Sequence, residues 1–108
     1  MPTRREKIEA MLQAEPEDDF LRYSLAIEYD NEGRWEESLK LFAELMQRQP
    51  PHVPSFFRCA QMLVRLGRIE EARRMLREGI EVARQQQQLH AAGEMGELLA
   101  SLGSFPEP

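Results

Sequence analysis

Three side chains in this sequence could do covalent or metal chemistry near neutral pH: Cys59, His52 and His90. A thiolate beside an imidazole makes a nucleophile and its base, and clustered Cys, His and Asp at short spacing hold zinc. Neither pattern is present. His52 sits in the run Pro50-Pro51-His52-Val53-Pro54, His90 falls near the start of the last helix, and no ligand spacing surrounds either. Cys59 lies on an apolar stripe at a small-residue position, which makes it a buried and inert thiol. Gly33 and Gly67 stand alone between helices, so no glycine-rich loop is available for a phosphate. No catalytic, cofactor-binding or metal-ligating residue is assigned, and no cofactor is expected.

What remains is recognition chemistry. Tyr23, Ile27 and Asp30 fall at i, i+4, i+7, and Phe57, Gln61 and Val64 repeat that spacing, with Arg65 alongside. Both trios lie about half a turn from the core stripe of their helices. Each could seat an apolar side chain of a partner and orient it with a polar group. The same second face could also simply pack on a neighbouring helix.

These residues ride on a 34-residue unit, 19–52, that is repeated from Val53 onward. Pro16 and Pro50, Leu25 and Cys59, Tyr29 and Leu63, and Gly33 and Gly67 are each 34 residues apart. Such a period, with glycine inside the unit and proline at its end, marks stacked helical hairpins. Thr3 and Glu6 have the form of a capping box ahead of a first helix whose stripe is Ile8, Met11 and Leu12. That helix corresponds to Ser38 to Met46, so it reads as the second half of a truncated leading repeat. Asp18 and Asp19 open the next helix, with Phe20, Leu21, Leu25, Ala26 and Tyr29 as its apolar positions. After Gly33 come Trp35, Leu39, Phe42, Leu45 and Met46. In the second unit Phe56, Cys59, Ala60 and Leu63 precede Gly67, and Ile69, Ala72, Leu76, Gly79 and Ile80 follow it. Arg84 stands where the period would place a proline, so the helix is expected to run on into Gln85–Gln88. A last half-unit, shifted by two residues, matches Met95, Gly96, Leu99, Leu102 and Gly103 to Cys59, Ala60, Leu63, Leu66 and Gly67.

With 108 residues, 42% of them hydrophobic and 31% charged, the chain has room for one modest core and is too apolar to be disordered. A formal charge of −5 argues against non-specific nucleic-acid binding by the whole molecule. Arg58, Arg65, Arg68, Arg73, Arg74, Arg77 and Arg84 form a basic bias in the second unit. No aromatic lies among them to stack on a base, so they read as a solvated face laced with pairs such as Glu70–Arg74 and Arg77–Glu81. No run of about 18 apolar residues offers a membrane span. The N-terminus lacks the apolar core of a signal peptide, and one cysteine cannot close an internal disulfide. A cytoplasmic location is expected.

The sequence resembles the tetratricopeptide repeat, whose pattern runs roughly W-x2-L-G-x2-Y, then A, F and P. Here it reads Arg22-x2-Leu25-Ala26-x2-Tyr29, then Ser38, Phe42 and Pro50. The second copy reads Phe56-x2-Cys59-Ala60-x2-Leu63, then Ala72 and Leu76. Ala26, Ala60, Gly96, Ser38, Ala72 and Gly79 are small where paired helices must approach closely. Arg22 departs from the family's first aromatic, and Leu45 stands where Gly79 does in the next copy. The resemblance implies an all-α, right-handed α-solenoid of helix-turn-helix repeats with about six helices. Its parts would be a leading half-repeat (3–15), repeats at 19–52 and 53–86, a capping helix (87–103) and a flexible tail (104–108). It implies a non-enzymatic module that binds a partner peptide in a concave groove lined by Tyr23, Ile27, Asp30, Phe57, Gln61, Val64 and Arg65, with His90, Glu94 and Glu97 from the last half. The carboxylate clamp of some family members would fall on Tyr23, Ile27 and Arg58, without its lysine or asparagine, so a carboxylate-terminated peptide is not supported. The alternative is a structural role, by self-association or docking into a larger assembly. Partners are therefore a protein or peptide or a second copy, not nucleic acid or membrane.

Overall fold

The computed structural model describes residues 1–104; the expected tail beyond Ser104 lies outside the described residues. The described chain is all-α, and it divides into two compact units, Met1–Pro50 and Pro51–Pro108. The division falls at the Pro-Pro step that closes the first repeat.

The first unit holds α1 (Arg4–Ala14), α2 (Asp19–Asn31) and α3 (Trp35–Met46). The capping box forms as its spacing predicts. The Glu6 N–H donates to Thr3 Oγ1 at 3.1 Å, and the Thr3 N–H donates to the Glu6 carboxylate at 2.9 Å. Those bonds, the backbone N–H first, hold the Glu6 carboxyl below its ordinary pKa. Asp18 caps α2 by accepting from the Leu21 N–H at 3.0 Å. Gly33 ends the run at φ +76°, with Arg34 N–H on Tyr29 O at 2.8 Å and Gly33 N–H on Asp30 O at 3.0 Å. This left-handed reversal satisfies the last free carbonyls of the helix. Leu25, Ala26, Phe42 and Leu45 are buried, and Ser38 closes the α2–α3 contact by donating to Ala26 O at 2.7 Å. Arg5 locks α1 to the end of α2, donating twice to Glu32 at 2.9 and 3.0 Å and once to Glu9 at 2.7 Å. Tyr29 stands under the cations of Arg5 and Arg34, 5.9 and 4.7 Å from its ring centre. Arg22 makes no aromatic contact of the family kind; its guanidinium donates to Pro16 O at 2.6 and 2.9 Å and ties down the α1–α2 turn.

The second unit holds α4 (Val53–Arg65), α5 (Ile69–Gln85), α6 (Leu89–Ser101) and a one-turn 3-10 helix, Leu102–Ser104. Gly67 reverses the chain at φ +77°, with the same pair of bonds as Gly33: Arg68 N–H on Leu63 O and Gly67 N–H on Val64 O. With no proline at position 84, α5 runs on through Arg84 as expected, but it ends at Gln85. Gln86–Gln88 make a third copy of this turn, with Gln88 N–H on Ala83 O at 2.8 Å and Gln87 N–H on Arg84 O at 3.0 Å. Gln87 takes the left-handed place at φ +59°, where glycine stands in the other two turns. Gln86 then donates its side-chain amide to Pro51 O at 2.8 Å and fastens the turn to the approach of α4.

Gly79 is the tightest point of this unit. A Cβ there would lie 2.6 Å from Phe56 Cβ and 2.7 Å from Met95 Sδ, so α4, α5 and α6 converge on a residue with no side chain. Gly96, expected to serve a similar approach, has open space where its Cβ would be, because no helix follows α6 among the described residues. Arg73, expected on the solvated face, is 2% exposed; it donates to Leu102 O at 2.9 Å and pairs with Glu70 at 3.2 Å. It pins the 3-10 turn to α5, and it, not Arg74, takes Glu70.

Candidate interaction surfaces

Most of the circumference of α4 is closed. Val53, Ser55, Phe56, Cys59, Ala60, Met62 and Leu63 are buried. The residues left over, Pro54, Phe57, Arg58, Gln61, Val64 and Arg65, recur every three or four positions and so form one strip. Phe57, Arg58, Gln61 and Val64 are half-buried, while Pro54 and Arg65 are exposed. The strip offers apolar surface, an amide that both donates and accepts, and two guanidiniums, with no carboxylate. Arg58 Nε is buried with no hydrogen-bond partner among the described residues. Such a surface suits a segment that brings apolar side chains together with acceptors or acids. The sequence places Phe57, Gln61, Val64 and Arg65 on the groove and Arg58 only at a clamp position that lacks its lysine or asparagine; it does not single out Pro54.

The α2 trio is half-buried, as the α4 trio is. Tyr23 packs edge-on against Phe42 of α3, with ring centres 6.1 Å apart and planes at 62°. The packing reading of the second face describes this residue. Ile27 turns toward α1, and Asp30 is half-buried in the last turn of α2. On α6, His90, Glu94 and Glu97 are all exposed, and His90 Nε2 lies 3.5 Å from Glu94.

Ile27 belongs to a feature the sequence did not single out, a groove of about 400 Å³ between α1 and α2. Ile8, Met11, Phe20, Leu21 and Ile27 form its apolar lining, and Arg4, Lys7 and Glu28 its rim. A second hollow of about 260 Å³ shares Met11 and Leu21 and continues toward Glu15 and Asp18. Met11 and Phe20, which the periodicity assigns to apolar stripes, are 50% and 71% exposed. The available signal was the leading half-repeat itself, which has a stripe but, among the described residues, no first helix to cover it.

The thiol of Cys59 is buried. One further Ser–His contact, His52 Nδ1 to Ser55 Oγ at 2.7 Å, belongs to the first turn of α4, and Ser55 is 0% exposed. It stabilises a helix start and is closed to any substrate.

Helical hairpins reversed by left-handed glycines 34 residues apart, closing on small residues, are matched by a family model described as tetratricopeptide repeat over residues 31–95. The chain belongs to the tetratricopeptide repeat family. Two solved structures are similar to it, both of tetratricopeptide repeat domain protein from Salinibacter ruber. The solution NMR structure is 29% identical, with a TM-score of 0.78, covering 86% of this chain and 94% of that one. The crystal structure is also 29% identical, with a TM-score of 0.73, covering 83% of this chain and 100% of that one. No curated protein matches the chain. Tetratricopeptide repeats are in general protein-interaction modules and in general not catalytic. Among the described residues of this one, no helix is long and apolar enough to cross a membrane.

Proposed function

We propose that this tetratricopeptide repeat protein is a non-enzymatic, cytoplasmic interaction module that binds an extended or helical segment of a partner protein. The observation that carries the reading is the α4 strip. Phe57 and Val64 provide apolar anchors, Gln61 an orienting amide, and Arg58 and Arg65 the positive charge, on the one face of α4 that is not fully buried. Anchors of this kind concentrate binding energy, while charges at the rim set orientation and partner choice. The expected ligand has apolar side chains at helical or alternating spacing next to Asp or Glu. Tyr23, Ile27 and Asp30 offer a second half-buried trio on α2, with Tyr23 held in place by Phe42. Selection from a random-peptide library displayed on phage tests it. Selected sequences should be enriched in apolar residues beside acids, and Phe57→Ala and Val64→Ala should lose them. Enrichment of basic peptides, or selection unchanged by both substitutions, would contradict the reading.

A further inference from the structure

The second unit contains an example of what fits a groove like that between α1 and α2. There α4 lies along α5, with Phe56 in its first turn against Gly79 late in α5, so the two helices run antiparallel. By the 34-residue repeat, α1 corresponds to α5: Ile8 matches Leu76 and Met11 matches Gly79, each 68 residues apart. With the two-residue shift of the last half-unit, Leu25 of α2 matches Met95 of α6. Gly79 is closed off by Phe56 of α4 together with Met95 of α6, and Leu76 is 0% exposed, whereas of their counterparts Ile8 is 7% and Met11 50% exposed. The groove is thus the seat of a first helix, and no described helix occupies it.

The helix α6 has the opposite deficit. Its residues Met95, Gly96 and Leu99 match Cys59, Ala60 and Leu63 of α4, none of which is more than 1% exposed. Gly96 and Leu99 are only half-buried, Leu89 is 69% exposed, and neither Gly93 nor Gly96 would bring a Cβ within 4 Å of anything. So among the described residues α1 is a second helix without its first, and α6 a first helix without its second.

We propose that α6 of a second copy docks in the α1–α2 groove, completing one repeat across the junction, so that copies of the chain associate head to tail. Charge agrees with this occupant. The groove rim presents Arg4, Lys7 and Glu28, with Arg4 paired to Glu28 at 3.0 Å, so its balance is one positive charge, while α6 carries exposed Glu94 and Glu97 and no Lys or Arg. Direction agrees as well. An antiparallel α6 brings its N-terminal turn, the positive end of its dipole, toward Glu15 and Asp18, and its C-terminal end toward Arg4 and Lys7. The small surface of Gly93 and Gly96 admits Met11 and Phe20. The contact is heterologous, so each added copy leaves one groove and one α6 free, and growth continues unless rotation closes a ring.

The test is sedimentation velocity of the full chain from about 10 µM to 1 mM. Wild type should rise from its 12.6 kDa monomer toward dimer and larger species. Met11→Lys and Gly96→Lys place a charge on a face that is open in the monomer, so both should melt as folded monomers and fail to associate at any concentration. Mixed in equal amounts they should form a 1:1 dimer and nothing larger, since one intact groove then meets one intact α6. Phe57→Ala should associate as wild type does, which separates this contact from the α4 strip. A wild type that stays at the monomer mass, association by either lysine variant alone, or a mixture that remains monomeric would each overturn the proposal.

Discussion

Replacing Gly79 by alanine sets two well-known effects against each other, and the structure decides the sign. In an open helix the change stabilises by about 1 kcal/mol, because glycine loses more backbone freedom on folding. At position 79 the new Cβ would lie 2.6 Å from Phe56 Cβ and 2.7 Å from Met95 Sδ. Methionine can bend, but a Phe Cβ is fixed to its backbone, so α4 must move away from α5. Overpacking of this kind costs about 1–3 kcal/mol, at the upper end where the obstacle is not the far tip of a side chain. Gly79→Ala should therefore lose about 1–2 kcal/mol net. Gly96→Ala serves as the internal control: it meets nothing within 4 Å and should gain up to about 1 kcal/mol. Urea unfolding of both variants in dilute solution, read as midpoint at constant slope, measures the difference. A Gly79→Ala protein as stable as Gly96→Ala would refute the close approach of the three helices.

Other outcomes follow from the same contacts. Gln87 holds a left-handed turn at φ +59° without the freedom of glycine, so Gln87→Gly should stabilise by about 1 kcal/mol. That gain would appear as a melting temperature about 4–8 °C higher; no increase would argue against the turn. Leu76 is 0% exposed, so Leu76→Ala should cost about 2–5 kcal/mol in chemical denaturation. Glu6 has its pKa lowered chiefly by the Thr3 backbone N–H, and Glu71 by Arg68, so each stabilises the fold above the ordinary carboxylate range. That contribution is lost as pH falls through the lowered folded-state values, and Glu6→Gln should flatten the decline of melting temperature below about pH 4.

Period and turn chemistry were legible because they depend on local residue types. A 34-residue spacing of Gly33 and Gly67 located both reversals, and small residues at Ala26, Ala60, Ser38 and Ala72 located the helix contacts. The missing proline at Arg84 showed that α5 runs on to Gln85, but the α5–α6 turn was hidden because glutamine fills the left-handed place at Gln87 and composition gives no break there. Arg73 was misjudged for a related reason. Sequence cannot separate an arginine on a wet face from one whose guanidinium reaches a distant carbonyl, here Leu102 O, 29 residues away. Gly96 carries the small-residue signal of a close contact, but the second helix that would make it is not in the described chain. The candidate site was legible as spacing and not as exposure. Phe57 and Tyr23 hold equivalent positions 34 residues apart and are both half-buried, yet Tyr23 has a ring contact with Phe42 while Phe57 shares its strip with two arginines.

The central claim is that Phe57 serves recognition and not the core, and one paired measurement addresses it directly: melting temperature and affinity for a library-selected peptide, in Phe57→Ala beside Arg74→Ala. The account predicts that Phe57→Ala melts within about 3 °C of wild type while losing at least tenfold in affinity, as an anchor truncation worth about 1.4 kcal/mol or more requires. Arg74→Ala, an exposed residue of α5, should change neither. A Phe57→Ala protein that unfolds as Leu76→Ala does, or that keeps full affinity for the peptide, would contradict the claim.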